Sequence, residues 1–177
     1  MVLSKTGVSP NFITLTATIA GLGAAAIIAI GEIYWGVLAL FLSQILDCTD
    51  GDLARLTGKV TRKGAFIDRI FDRFVDAAVV IGIVYLYPAE LWLAGFMAVV
   101  GSFGVSITRV MAEAEGAECK VGIGGRDTRL AIIMAGLLYG HASGNAVVVY
   151  SATLWIVAAL GFITTIQRII HTLRQLD

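Results

Sequence analysis

The sequence predicts an all-α fold: an integral membrane bundle of six transmembrane helices with both termini on the cytoplasmic side. Three observations carry this expectation. The 177-residue chain is 58% hydrophobic, has a mean hydropathy of +0.85 and is only 15% charged. A soluble domain of this length would be far less apolar. The apolar residues also come in long uncharged runs, at 12–30, 91–107 and 146–166, each near the roughly 20 residues that span a hydrocarbon core. The third observation is how charge divides between the two ends of the helices.

The helices are expected at 11–30, 34–56, 64–87, 91–112, 127–142 and 146–173. Pro10 suits the first turn of helix one, with Ser9 before it as a cap. Gly31-Glu32 ends that helix, Thr57-Gly58 ends the second, and Pro88 stops the third. The glycine-rich stretch 116–125 separates helices four and five. Helix five is short and opens at Arg126, Asp127 and Arg129 near the interface. Ser143-Gly144-Asn145 turns the chain into helix six. The whole chain reads as one domain, residues 1–177, in which 1–9 is a linker and no cleavable signal peptide is evident.

An even number of crossings puts both termini on one side. All 13 Lys and Arg then fall on that side, together with the loops at 57–63 and 113–126. The opposite loops carry only Glu32 and Glu90 as charges. By the positive-inside rule the basic side is cytoplasmic, and a multi-pass protein of the plasma membrane is expected. Trp35, Tyr85, Tyr87, Trp92 and Tyr139 sit near the opposite helix ends, as an interfacial aromatic belt does. Cys48 and Cys119 do not form a disulfide framework. Acidic and basic residues balance at 13 each, and no nucleic-acid partner is expected.

The chemistry-bearing residues lie in helices two and three. Asp47, Asp50, Gly51 and Ala54 fall at i, i+3, i+4 and i+7, one helical face. Gly64, Asp68 and Asp72 fall at i, i+4 and i+8, again one face. The short connection makes the two helices antiparallel neighbours, so the faces can meet. An isolated carboxylate in the membrane costs about 3 kcal/mol even on a lenient scale, and four together repel one another. A bound divalent cation offsets both effects. A carboxylate-only set suits hard cations, Mg²⁺ first, with Mn²⁺ or Ca²⁺ able to stand in its place. Four acids can clamp two ions, an arrangement suited to phosphoryl displacement. Zinc does not fit, because Cys48 points away from the Asp47/Asp50 face and no histidine is near. Gly51 and Ala54 leave room above the helix, and Arg55 is placed to reach a diphosphate. The competing reading is that these residues merely pair as buried salt bridges. Pairing alone needs no two matched acid stripes with glycine and alanine between them.

The pattern D-x-x-D-G-x-x-A-R-x8-G-x-x-x-D-x-x-x-D, from Asp47 to Asp72, resembles the signature of the CDP-alcohol phosphotransferase family at all eight fixed positions. The six-span layout and the Pro10-Asn11-x-x-Thr14 start of helix one are similar to that family as well. The resemblance implies that an acceptor hydroxyl attacks the β-phosphorus of a CDP-linked lipid or alcohol, so that a phosphodiester forms and CMP leaves. It implies metal binding at Asp47, Asp50, Asp68 and Asp72, with Asp72 also the general base. It implies contacts to the CDP group from Gly51, Ala54, Arg55 and Gly64, and from Asn11 and Thr14. It further implies a homodimer.

Outside the signature, Arg109, Lys120, Arg126 and Arg129 form a basic group suited to an acceptor that itself carries a phosphate. Anchoring to anionic headgroups is the alternative use of such residues. The stretch Gly124-Gly125-Arg126-Asp127-x-Arg129-Leu130 looks like that of family members using inositol phosphate, which makes inositol phosphate the favoured acceptor and glycerol 3-phosphate the alternative. Asp76 is expected to hydrogen-bond within the bundle, Asp52 to face solvent or Arg55, and His141 and His171 to take no part. A cation- or proton-coupled transporter is the competing class, since intramembrane acids serve such proteins. Inverted repeats are absent, and the acids cluster at one face instead of the midplane.

Overall fold

The computed structural model describes residues 10–56 and 61–176. The side chains at 10–12, 50–56 and 62 lie outside the described residues, as does Ser9. Among the described residues there are six helices and no strand: α1 (Pro10–Ala29), α2 (Ile33–Leu56), α3 (Arg62–Leu86), α4 (Pro88–Ala114), α5 (Arg126–Ser143) and α6 (Ala146–Leu176). The expected elements are all present, with ends shifted by a few residues.

Each boundary has a local cause. At the end of α1, Gly31 adopts φ +89°. Its N–H donates to Ile28 O (2.9 Å) and that of Glu32 to Ile27 O (3.2 Å), the paired bonds of a Schellman cap. Pro88 has no N–H to continue α3 and occupies the first turn of α4, where none is needed. The end of α4 repeats the Schellman arrangement. Gly116 (φ +83°) donates to Glu113 O and Ala117 to Ala112 O. The side chains of Ala112 and Ala117 are buried together with Cys119.

The chain divides into two compact units, Met1–Gly82 and Ile83–Asp177. In the first, α1 packs on both α2 and α3. Ser43 in α2 donates its hydroxyl to Ala17 O in α1 at 2.8 Å. A Cβ on Gly21 would lie 2.7 Å from Val75 in α3, and one on Gly82 would lie 2.5 Å from Ala25 O in α1. Small residues therefore let the helices approach backbone to backbone. The second unit packs α6 against α4 and α5. Gly101 in α4 faces Gly161 in α6 so closely that a Cβ on Gly161 would stand 2.6 Å from the Gly101 carbonyl carbon. Leu91, Leu154 and Val157 are wholly buried in this core.

By length and composition, α4 and α6 can cross a membrane, while α1 and α2 contribute the shorter apolar stretches Ile13–Ala29 and Ile33–Thr49. Charged residues in α2 and α3, and the 18-residue length of α5, set those helices apart. Large apolar side chains such as Ile19, Trp35, Ile81, Trp92, Phe96 and Val148 are exposed, on a scale that marks a lipid- or protein-facing surface. The aromatic residues expected near the helix ends, Trp35, Tyr85, Trp92 and Tyr139, are among the exposed ones.

Candidate active site

The acidic site is built by α2 and α3. Asp47 lies on α2 in the turn after Ser43, whose hydroxyl ties that helix to α1. Gly64 stands in the first turn of α3, where its N–H donates to Thr61 Oγ1 at 3.0 Å and caps the helix. Asp68 and Asp72 follow one and two turns later. The two faces meet as their spacing requires: one carboxylate oxygen from each of Asp47, Asp68 and Asp72 lies within 4.8 Å of the others. All three residues are half-buried.

An all-oxygen trio at this spacing fits a hard divalent cation. Three carboxylates so close together, two of them a single turn apart on one helix, repel one another without a counter-charge. Arg73 supplies part of that charge. Its guanidinium bridges Asp72 and Asp76, each at 3.5 Å. Asp76 is buried, and this ion pair ties it to a neighbour on its own helix, where the sequence suggested a hydrogen bond within the bundle.

The fourth acid, Asp50, sits on α2 one turn after Asp47, and its side chain lies outside the described residues. The same holds for Asn11, Gly51, Asp52, Ala54 and Arg55, whose backbones are helical. Thr14 is half-buried in α1, one turn before Thr18, which donates its hydroxyl to Thr14 O.

The basic group belongs to the second unit, and its members differ. Arg109 is exposed near the end of α4 and pairs with Glu113 at 2.8 Å. Lys120 is exposed in the loop between α4 and α5. Arg126 is half-buried at the start of α5. Arg129 is buried, and its Nη1 donates to Gly124 O at 2.5 Å.

One buried cation was not assigned a role from sequence. Arg168, on α6, donates from Nε to Val121 O (2.9 Å) and from Nη1 to Val105 O (2.5 Å). The signal was present, since it is the first charge after twenty-odd uncharged residues of α6. Its partners are backbone carbonyls, and those leave no trace in a sequence.

Comparison with known proteins decides the family. The profile of the CDP-alcohol phosphatidyltransferases matches residues 7–167. The chain belongs to that family. It is accordingly a transferase of phospholipid biosynthesis that acts on CDP-linked alcohols. Among curated relatives of this CDP-alcohol phosphatidyltransferase, the archaetidylinositol phosphate synthase of Methanothermobacter thermautotrophicus is 36% identical over 94% of this chain and 84% of its own. The phosphatidylinositol phosphate synthase of Mycobacteroides abscessus is 31% identical over 97% of this chain and 80% of its own. Among solved structures, Mycobacterium tuberculosis phosphatidylinositol phosphate synthase with CDP-DAG bound superposes with a TM-score of 0.83 at 28% identity, covering 95% of this chain and 88% of that one. The same enzyme in complex with manganese and citrate gives 0.84 at 26% identity, covering 96% and 84%.

Proposed function

We propose that this CDP-alcohol phosphatidyltransferase is an inositol phosphate-using lipid synthase, joining a CDP-linked lipid to inositol phosphate and releasing CMP. The observation that carries the reading is the convergence of Asp47, Asp68 and Asp72 at one point between two helices. It is supported by relatives that are themselves named for phosphatidyl- or archaetidylinositol phosphate synthesis.

In this reading Asp47, Asp50, Asp68 and Asp72 hold two divalent ions, Mg²⁺ by preference. When bound, the ions offset charge on the diphosphate and on the departing CMP. Asp72 ends the stripe on α3 and accepts the proton of the attacking hydroxyl. Arg73, bound to both Asp72 and Asp76, keeps the Asp72 carboxylate from swinging away. Gly51 and Ala54 give the cytidine diphosphate room against α2, Arg55 neutralises it, and Gly64, Asn11 and Thr14 complete its surroundings. Arg109, Lys120, Arg126 and Arg129 receive the phosphate of the acceptor.

All six helices cross the bilayer as one domain, with the termini and the acidic site on the cytoplasmic side of the plasma membrane. There a soluble acceptor and a lipid tail can meet. Two copies associate through the exposed apolar helix faces. Glycerol 3-phosphate is the second acceptor to test.

The deciding experiment is CMP release from CDP-diacylglycerol, and from its ether-lipid counterpart, by the purified protein with Mg²⁺. Inositol 1-phosphate, glycerol 3-phosphate, serine and inositol are each supplied as acceptor. Release that depends on inositol 1-phosphate is expected. Release with glycerol 3-phosphate alone would transfer the protein to a different acceptor class, and absence of any cytidine nucleotide binding would reopen the transporter reading.

A further inference from the structure

The loop between α4 and α5 has no regular structure over residues 117–125, so its backbone groups need other partners. They find them on one stripe of α6. Thr164 Oγ1 accepts the N–H of Gly124 at 2.8 Å, and both atoms are buried. Arg168 Nε donates to Val121 O at 2.9 Å. At the far end, the side-chain amide of Gln175 pairs with residue 118 in both directions: Glu118 N donates to Gln175 Oε1 (2.9 Å) and Gln175 Nε2 donates to Glu118 O (2.8 Å). Positions 164, 168 and 175 share a helix face. Their partners at 124, 121 and 118 descend as the helix positions rise, so the loop runs antiparallel along α6 and is fastened at three points.

Two glycines let it lie that close. Gly122 has φ +117°, and a Cβ there would come within 2.3 Å of the Thr164 methyl. A Cβ on Gly124 would stand 2.7 Å from Leu160 O. The carbonyl of Gly124 is taken as well, by Arg129 Nη1. The peptide groups around Gly124 thus lock the loop to α6 through Thr164 and to α5 through Arg129.

From this geometry we infer that Thr164 and Gln175 are positioning residues for acceptor recognition. They touch no substrate. They hold the strap that carries Lys120 and delivers Arg126 and Arg129 at the start of α5. Three basic residues spread over ten positions can meet one phosphate only if the backbone between them is fixed. Preorganisation of this kind lowers the entropic cost of binding. The inference rests on the acceptor-phosphate role proposed above for those basic residues.

The test compares acceptor KM, kcat and donor KM for the full chain with Thr164→Val, Thr164→Ser and Gln175→Ala, alongside Lys120→Ala and Arg126→Ala. Tryptic cleavage after Lys120 in detergent micelles reports separately whether the strap has come loose. Thr164→Val puts a methyl where Gly124 N–H needs an acceptor. It is expected to raise acceptor KM about tenfold and to speed cleavage, with donor KM and kcat within twofold of wild type. Thr164→Ser keeps the hydroxyl and restores wild-type KM. Gln175→Ala, at an exposed helix end, gives a severalfold rise in KM and faster cleavage, and carries the test alone if Thr164→Val does not fold. Faster cleavage with unchanged acceptor KM, while Lys120→Ala and Arg126→Ala raise it, would overturn the inference and leave the acceptor assignment standing. Unchanged KM in Lys120→Ala and Arg126→Ala would instead remove the assignment, and the inference with it.

Discussion

At the scale of single residues, the acidic cluster separates two kinds of carboxylate. Asp47, Asp68 and Asp72 gather their oxygens within 4.8 Å, whereas Asp76, a turn beyond, is buried beside Arg73. The first three have the spacing of ligands and the last that of a strut. Asp72→Asn keeps the shape and one oxygen donor but cannot accept a proton. It is expected to lower turnover by at least about 100-fold, in the range general-base removal commands, a loss that persists at saturating Mg²⁺ and donor and so exceeds what the missing ligand charge costs in binding. Full turnover in this variant would refute the base assignment. Asp47→Asn removes one charge from the trio. Because ligand charge sets the affinity of an oxygen site for a divalent cation, Mg²⁺-dependent nucleotide binding should weaken on the order of tenfold, and binding equal to wild type would remove Asp47 from the ligand set. The acidic site was legible because its residues are distinctive in type and rigid in spacing. Eight positions over 26 residues leave little room for coincidence. The partners of Arg168 and Gln175 were not legible, since peptide groups are the same at every position. Arg109 read as a substrate cation on its charge and its place near a helix end, and the structure adds its pairing with Glu113.

At the scale of elements, glycine decides which helices can touch. The contact between α4 and α6 brings two backbones together at Gly101 and Gly161. Gly161→Ala forces a methyl toward the Gly101 carbonyl carbon, where no flexible side chain can give way. A loss of about 1–3 kcal/mol is expected, the usual cost of overpacking, read as a lower midpoint in thermal or denaturant unfolding in micelles. Gly23→Ala is the control, because a Cβ there meets nothing within 4 Å. It should be neutral or stabilising by up to about 1 kcal/mol through helix propensity. Sequence showed that glycines were frequent in these helices, and it showed where Gly31, Pro88 and Gly144 would end them. It could not distinguish Gly161 from Gly23, because that difference depends on what stands opposite each one.

For the whole molecule, the arrangement of charge makes the strongest statement. The six-span arrangement proposed above puts the 31–32, 87–90 and 143–145 turns on one side of a bilayer and the basic loops on the other. In a chain freed of Cys48 and Cys119, single cysteines at Glu90 and Asn145 should react with an impermeant maleimide added outside sealed right-side-out vesicles. Cysteines at Lys120 and Arg174 should react only after the membrane is opened. Reaction of both pairs from the same side would overturn the six-span arrangement. Apolar runs made an apolar helix readable in α1, α4 and α6. It was less plain for α2 and α3, whose charged halves serve the site at the expense of hydropathy, and for α5, which is 18 residues long.

The strap along α6 has a consequence for how such a protein can change its preferences. What fastens the loop is peptide hydrogen bonding to Thr164, Arg168 and Gln175, with Gly122 and Gly124 setting its closeness. The side chains at 118, 120 and 123 take no part in that fastening. They can be exchanged like bits in a fixed chuck, each new set presenting different chemistry along the same path. On the acceptor role proposed for this loop, substitution at a few of its positions would retune the choice of alcohol, with the helices, the acids and the fold left as they are.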